Sequence, residues 1–260
     1  MLEKEILDRL TTKTFGRHIH SFDSIDSTNT FAKTIAGTAE EGTLVIAEKQ
    51  TAGRGRLGRA WYSEQEKNLT FSIIIKPDMA VDFLGVLSLY AAVAVADAIH
   101  ATTHCIAHCK WPNDLLLGGR KCCGILCESN IVSGTASFVT IGIGLNVNQT
   151  NFPDEIRAAA TSLSLEAGRI FDRTYILVSV LLKLEEWYHI VSRREYDRII
   201  GAWESRAPML GKSILIRQHE DMIEGIATGL DARGSLLLHS GGLEHTLVAG
   251  DVSIMNEFPP

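Results

Sequence analysis

Short apolar runs dominate the first part of the chain, a helical period takes over around Thr174, and short runs return after Pro208. Thr43 to Glu48 and Asn68 to Lys76 read as strands, the second ended by Pro77. Asp82 to Ala101 is apolar nearly throughout and predicts a buried helix. Cys105 to Trp111 and Asp114 to Leu117 read as strands broken at Pro112, and Gly118-Gly119 turns the chain into a strand from Arg120 to Glu128. Phe138 to Asn148 is a further strand, whose glycines suggest close approach of backbone or ligand. Of two helices that follow, the stronger runs from Thr174 to about Arg194 and places Ile176, Val180, Leu184, Trp187 and Val191 on one face. Ser213 to Arg217, Met222 to Leu230, Ser235 to His239, Glu244 to Val248 and Val252 to Met255 are short strands between Gly and Asp turns.

The pattern predicts an α+β body, a mixed β-sheet with flanking helices, followed by a small barrel-like β unit. Their boundary falls near Ala207 to Gly211, dividing the chain into residues 1–207 and 208–260. Before the body, Leu2 to Leu10 can form one short amphipathic helix, far less than the three-helix unit of a helix-turn-helix reader. The cap-forming cluster in Phe22 to Ala32 should open a helix running towards Glu41 and stopped by Gly42. Asp26-Ser27-Thr28-Asn29 then sits at a helix start, as a plain N-cap or as a source of free hydroxyls and amides.

Composition narrows the classes. A net charge of -6 gives no general attraction to nucleic acid or to an anionic membrane. The most apolar run, Phe83 to Ile99, is interrupted by Asp97 and is expected to be too short to span a bilayer. The five cysteines, Cys105, Cys109, Cys122, Cys123 and Cys127, are odd in number and crowded, unlike a secreted disulfide framework, so the cytoplasm is the expected compartment. His104-Cys105-x-x-His108-Cys109 gathers four ligand-type side chains, but a strand there would set the histidines and cysteines on opposite faces.

Candidate chemistry concentrates in Gln50 to Trp61, where three glycines and three arginines fall within seven residues. Glycine brings bare amides close to a ligand, and each arginine offers a charged planar fork for phosphate or carboxylate oxygens. Without an anion the arginines mainly repel one another, so the loop is expected to be mobile when empty and ordered when occupied. The alternative is a basic solvated turn. Gly53-x-Gly55-x-x-Gly58 fits a dinucleotide fingerprint, yet only the polar stretch Arg59 to Lys67 precedes the next strand, leaving no room for a crossover helix. No Gly-Lys-Ser/Thr follows, which excludes a nucleoside-triphosphatase loop.

Lys110-Trp111-Pro112-Asn113-Asp114 and Arg120-Lys121 to Leu126 form a second cluster. Together with Asp26 to Asn29, Gln50 to Trp61 and Ile141 to Asn148, in that order, the chain closely resembles the biotin protein ligases, in particular the short class without an N-terminal DNA-binding domain. The resemblance covers nearly the whole chain. It implies a catalytic domain like that of class II aminoacyl-tRNA synthetases and a C-terminal SH3-like β-barrel ending in Gly250-Asp251-Val252-Ser253. It also implies a two-step reaction: biotin and MgATP give biotinyl-adenylate and pyrophosphate, then a lysine of a biotin carboxyl carrier protein takes the biotin.

By this resemblance Arg56 and Lys121 stand near the carboxylate and α-phosphate, where accumulating negative charge needs fixed cations. Outside such a setting Lys121 reads as a solvated charge. Ser27, Thr28, Gln50, Gly53, Arg54 and Gly124 match biotin positions, with Arg56 and Lys121 at the carboxylate. Arg59, Trp61, Asn113 and Asn146 join Arg56 and Lys121 around the nucleotide: Trp61 against the adenosine, unless it is simply core, Asn146 at the adenine edge and Asn113 near phosphate or magnesium. Magnesium is expected on ATP rather than in a fixed protein site. The second step needs a neutral amine, and a lysine near pKa 10.4 is mostly protonated at pH 7, a handicap of roughly 4 to 5 kcal/mol. Asp114 is the candidate to orient the incoming ammonium and take its proton; otherwise it is an ordinary turn residue. Cys122 and Cys123 stand where the family tends to carry small apolar residues and read as small hydrophobes; since they adjoin Lys121, thiol reagents are expected to inhibit and bound biotin with ATP to protect.

A sheet-edge homodimer also occurs in the family. The rivals are a lipoate or octanoate ligase or transferase of the same fold, and a catalytically inert adaptor or regulatory protein. Binding of DNA or membrane is not expected.

Overall fold

The computed structural model describes residues 3–132, 135–218 and 221–254. Leu2 of the expected first helix and Met255 of the expected last strand lie outside them.

Helix α1 (Glu3–Arg9) leads to β1 (Ile19–Ile25), a strand that apolar patterning passes over. None of its seven residues is fully buried, because it forms the half-solvated edge of a sheet and pairs in parallel with β2 (Thr43–Gln50). Between them, α2 (Thr28–Ile35) is shorter than expected. The amides of Thr38 and Ala39 both turn back to the Ile35 carbonyl, and Gly42, at φ +76°, serves the turn into β2 rather than the end of the helix. A β-carbon at Gly42 would stand 2.9 Å from the Phe15 Cα.

Strand β3 (Leu69–Ile75) is buried along its whole length. Helix α3 (Gly85–Thr103) follows, then β4 (His108–Lys110), β5 (Asp114–Leu117), β6 (Arg120–Val132) and β7 (Thr135–Leu145). The seven strands form one mixed sheet in the order β1-β2-β3-β7-β6-β5-β4. Counted with the turn before it, the apolar helix reaches 23 residues, so it is long and apolar enough to cross a membrane, against the expectation. It is packed as a core helix instead, with 67% of its most apolar stretch buried. Its polar interruption is a docking point: Asp97 accepts hydrogen bonds from Trp187 Nε1 (2.9 Å) and from Arg206 (2.7 Å).

Strand β4 begins at His108, not at Cys105, because His104 caps α3 in the left-handed conformation and the Thr103 hydroxyl holds the Cys105 amide. The strict alternation expected for His104 to Cys109 therefore does not exist. After the sheet come α4 (Asp154–Arg157), α5 (Leu163–Ala167), α6 (Arg173–Ser192) and α7 (Tyr196–Glu204), four helices where two were expected. On α6, Ile176, Val180, Leu184 and Val191 are buried as the period requires.

The tail forms β8 (Ser213–Gln218), β9 (Asp221–Leu230), β10 (Leu236–Ser240), β11 (Leu243–Leu247) and β12 (Asp251–Ile254), an antiparallel sheet in the order β11-β10-β9-β8-β12. Its apolar face joins the main core, and Trp111 crosses between the two, donating Nε1–H to the Gly234 carbonyl at 3.2 Å.

Candidate active site

Strand register prepares the site. Ser72 of β3, Gly142 of β7 and Leu126 of β6 are paired across the sheet, and so are Thr70, Gly144 and Gly124. Paired residues share a face, so one face carries a low floor of glycines where a bulkier strand would rise. Two side chains use that space. A β-carbon at Gly142 would lie 2.5 Å from Asn29 Oδ1, and one at Gly144 only 2.2 Å from Trp61 Cε2. The close approach expected at these glycines is made by side chains, Asn29 of α2 and Trp61 of the arginine loop, rather than by backbone or ligand.

Above this floor lies a cavity of about 360 Å³. Every sequence-predicted site residue lines it except Gly53. Gly53 sits at the base of the loop, where its carbonyl accepts from the Trp61 amide at 3.0 Å and a β-carbon would meet the Trp61 carbonyl. At one end of the cavity Ser27 caps α2, accepting from the Thr30 amide, and the Thr28 amide and hydroxyl both donate to Gln50 Oε1, at 2.7 and 3.0 Å. At the other end Lys121 Nζ stands 2.7 Å from Asp114 Oδ1 and 5.7 Å from the centre of the Trp61 ring. The Lys121 backbone is clamped: its amide donates to Ala159 and its carbonyl accepts from Thr161.

The three arginines are not equivalent. Arg54 pairs with Glu128 at 2.9 Å and Arg59 with Asp251, so two of them are compensated without a ligand, by acids from β6 and β12. That corrects the expectation of mutual repulsion in an empty loop. Among the described residues Arg56 touches only neutral oxygens, Asn113 Oδ1 at 3.3 Å and the Gly250 carbonyl at 3.5 Å. Burial pulls it below the ordinary arginine value, against the opposing charges of Asp251 and Asp114. Arg56 remains cationic and is the fork left for an incoming anion.

Four buried side-chain polar atoms among the described residues lack a hydrogen-bond partner: Trp61 Nε1, Asp114 Oδ1, Asn146 Oδ1 and Trp203 Nε1. Three belong to cavity residues. Asp114 Oδ1 still has its ion pair with Lys121, close in distance though not aligned as a hydrogen bond. Asn146 Nδ2 is spent on the Thr161 carbonyl (3.0 Å), so its free oxygen is an acceptor held in place with nothing to accept from. Orphaned buried groups are rare in folded proteins; Trp203 Nε1 lies away from the cavity, while those of Trp61, Asp114 and Asn146 are gathered in it.

Sequence reasoning missed Asn29, Gly142, Gly144 and Asp251 as individual lining residues. Asn29 and the two glycines lay inside the motifs already singled out. Asp251 had no such signal beyond its place in the Gly-Asp of the tail.

Cys122 and Cys123 are fully buried, and burial pushes both thiols well above their ordinary range. Thiolate chemistry needs a lowered pKa and access, so the expected inhibition by thiol reagents is reversed. Maleimide treatment should leave activity intact and label Cys105, which is partly exposed, before Cys122 or Cys123. Peptide mass spectrometry checks this, and early label on Cys122 or Cys123 with loss of activity overturns it.

Residues 21–146 match the Biotin/lipoate A/B protein ligase family, and residues 209–255 match the Biotin protein ligase C terminal domain. The chain is 40% identical over 241 residues to the Bifunctional ligase/repressor BirA of Bacillus spizizenii, spanning 92% of this chain and 74% of that protein. It is 33% identical over 259 residues to the Biotin--[acetyl-CoA-carboxylase] ligase of Mycobacterium tuberculosis, spanning 96% and 94%. The structure of the Aquifex aeolicus biotin protein ligase in complex with biotin and ATP superposes with a TM-score of 0.80 at 30% identity, over 91% of this chain and 98% of that one. The chain belongs to the biotin protein ligase family.

Proposed function

We propose that this protein joins biotin to AMP, releasing pyrophosphate, and then passes the biotin to a lysine of a biotin carboxyl carrier protein. One observation carries the reading: a single cavity combines Arg56, which has no direct ion pair among the described residues, the Lys121 ammonium and held but orphaned polar atoms on Trp61 and Asn146. Such a site suits a ligand with an anionic centre and a flat polar ring. Biotin occupies the end made by Ser27, Thr28, Gln50 and Gly124 beside Arg54, and the nucleotide lies by Arg59, Trp61, Asn113 and Asn146. Magnesium enters with the nucleotide as part of the substrate.

In the first step a biotin carboxylate oxygen attacks the α-phosphorus and the bond to the β-phosphate oxygen breaks. Negative charge spreads over oxygens between Arg56 and Lys121, which are already oriented by Asn113 and Asp114. When the adenylate claims the Lys121 ammonium, Asp114 loses its partner and becomes free for the next cation. In the second step that cation is the carrier ammonium, which gives its proton to Asp114. The neutral amine attacks the acyl carbon, the bond from that carbon to the phosphate oxygen breaks, and the amine's second proton departs with the AMP phosphate as the amide forms. Asp114→Ala should therefore slow transfer to the carrier roughly tenfold more than adenylate formation, measured by single-turnover transfer from preformed adenylate. Equal loss in both steps removes Asp114 from the transfer role.

The partners in this reading are the carrier protein and, by family resemblance, a second copy of the chain at a sheet edge. DNA and membranes are not among them, and the cytoplasm is the compartment. The catalytic part is assigned to 1–207 and the C-terminal unit to 208–260. The deciding test is biotin-dependent exchange between ATP and labelled pyrophosphate, run beside lipoate. Exchange with biotin alone is expected; exchange with lipoate indicates the sister activity, and none with either an inert protein.

A further inference from the structure

Glu128 lies outside the reacting groups, yet it ties together two segments that meet at the site, α2 and the arginine loop. One carboxylate oxygen accepts from Lys33 of α2 (2.6 Å) and from Arg54 of the loop (2.9 Å), and the other accepts from Asn29 Nδ2 (2.9 Å). From Asn29 a buried chain of contacts continues inward: Asn29 Oδ1 to Ser72 Oγ at 2.6 Å, Ser72 Oγ to Thr28 Oγ1 at 2.8 Å, and Thr28 Oγ1 to Gln50 Oε1 at 3.0 Å. Asn29, Ser72 and Thr28 are each no more than 4% exposed.

The protons in this chain can be counted. An ionised carboxylate only accepts, so Asn29 must turn its amide nitrogen to Glu128 and to the Leu126 carbonyl (3.2 Å), leaving its oxygen toward Ser72. Burial raises the Glu128 carboxyl, but the hydrogen bonds from Lys33 and Asn29 and the charges of Lys33 and Arg54 outweigh it and keep it below the usual range. Both ends of the inner chain are then acceptors, Asn29 Oδ1 and Gln50 Oε1. Three contacts must share the two hydroxyl protons of Ser72 and Thr28; the Thr28 amide also serves Gln50 Oε1, at 2.7 Å, so the proton the chain lacks is one directed at the Ser72 and Thr28 hydroxyl oxygens. With Asn29 reversed, its N–H would feed Ser72, Ser72 would feed Thr28 and Thr28 would feed Gln50, completing the inner chain at the expense of the donor that the Leu126 carbonyl now receives.

We propose that Glu128 is a positioning residue that sets this polarity, keeping the Thr28–Gln50 end of the cavity deficient by one donor so that a ureido N–H of the substrate completes it. The inference rests on the reading of that end as the biotin subsite. Glu128 also holds Arg54 by the same carboxylate, so the donor-accepting end and the loop share one anchor. A glutamine at this position can itself turn either way, which removes the shorter of the two contacts that fix Asn29 and leaves only the longer one, to the Leu126 carbonyl, opposing its reversal.

The test uses the full-length protein in biotin-dependent ATP–pyrophosphate exchange, with two probes: biotin, and a cyclic carbamate analogue in which a ureido N–H is replaced by oxygen. Wild type should prefer biotin by about tenfold or more in kcat/KM, the loss expected when a hydrogen-bonding group goes unpaired. Glu128→Gln should raise the KM for biotin about tenfold, leave the KM for ATP within twofold, and shrink the preference towards unity. Glu128→Asp, still an acceptor, should keep the preference. A folded Glu128→Gln enzyme with an unchanged preference overturns the proposal, as does a parallel rise in both KM values. Wild type that shows no biotin-dependent exchange overturns the underlying reading instead.

Discussion

Replacing Lys121 by glutamine should lower biotinyl-adenylate formation about 10²- to 10³-fold, the usual cost of removing one preoriented electrostatic donor from an acyl- or phosphoryl-transfer site. The lysine stands 2.7 Å from Asp114 and its backbone is clamped by Ala159 and Thr161, so its head group is positioned before any substrate arrives. The same clamp is made by main-chain groups, which the substitution leaves in place. Its ion pair is partly solvated, with side-chain exposures of 37% and 22%, and such pairs contribute only about 0–1 kcal/mol. The glutamine amide can still donate to Asp114. The melting temperature should thus move by no more than about 4 °C while the chemical step collapses. Rapid-quench measurement of adenylate beside thermal unfolding separates the two, and a variant within tenfold of wild type would remove Lys121 from the first step.

The second large effect is expected at Gly144. Its added β-carbon in Gly144→Ala would lie 2.2 Å from Trp61 Cε2 and 2.5 Å from Cζ2, closer than any real contact. The strand cannot retreat, because β7 is hydrogen-bonded through Thr70 on one side and Gly124 on the other. The indole must move, and with it the surface assigned to the nucleotide ring. Overpacking of this kind costs roughly 1–3 kcal/mol. Expressed wholly as lost nucleotide binding, that is a rise of roughly 5- to 150-fold in the KM for ATP. The KM for biotin should change far less. Combining Gly144→Ala with Trp61→Phe, a smaller ring, should recover part of the loss. If Gly144→Ala leaves the KM for ATP unchanged, Trp61 does not form the nucleotide surface.

How much of this could be read without coordinates varied by element. The buried strands β2 and β3 and helix α6 carry their own periodicity and were legible within a few residues. Strand β1 was not, since an edge strand exposed along both sides has no apolar run to betray it. The end of α2 was misplaced because Gly42 looks like a helix stop, whereas its left-handed backbone belongs to the following turn. The apolar stretch of α3 gave no hint that Asp97 is held by Trp187 and Arg206 from later helices.

At the site the division is similar. Residue types alone nominated the arginine loop, and the need for a carboxylate beside an incoming ammonium nominated Asp114, whereas Lys121, Thr28 and Gln50 came from the resemblance of the ordered motifs to the biotin protein ligases. Which arginine is left uncompensated was decided by packing: Glu128, 74 residues beyond Arg54, and Asp251, 192 residues beyond Arg59, are brought to the loop only by the folded sheets. The reactivity expected of Cys122 and Cys123 likewise depended on depth. A side chain's chemical repertoire is local and travels with the sequence. Its charge balance, its solvent access and the direction of its hydrogen bonds depend on neighbours that are near in space and far along the chain, and these came from the tertiary structure alone.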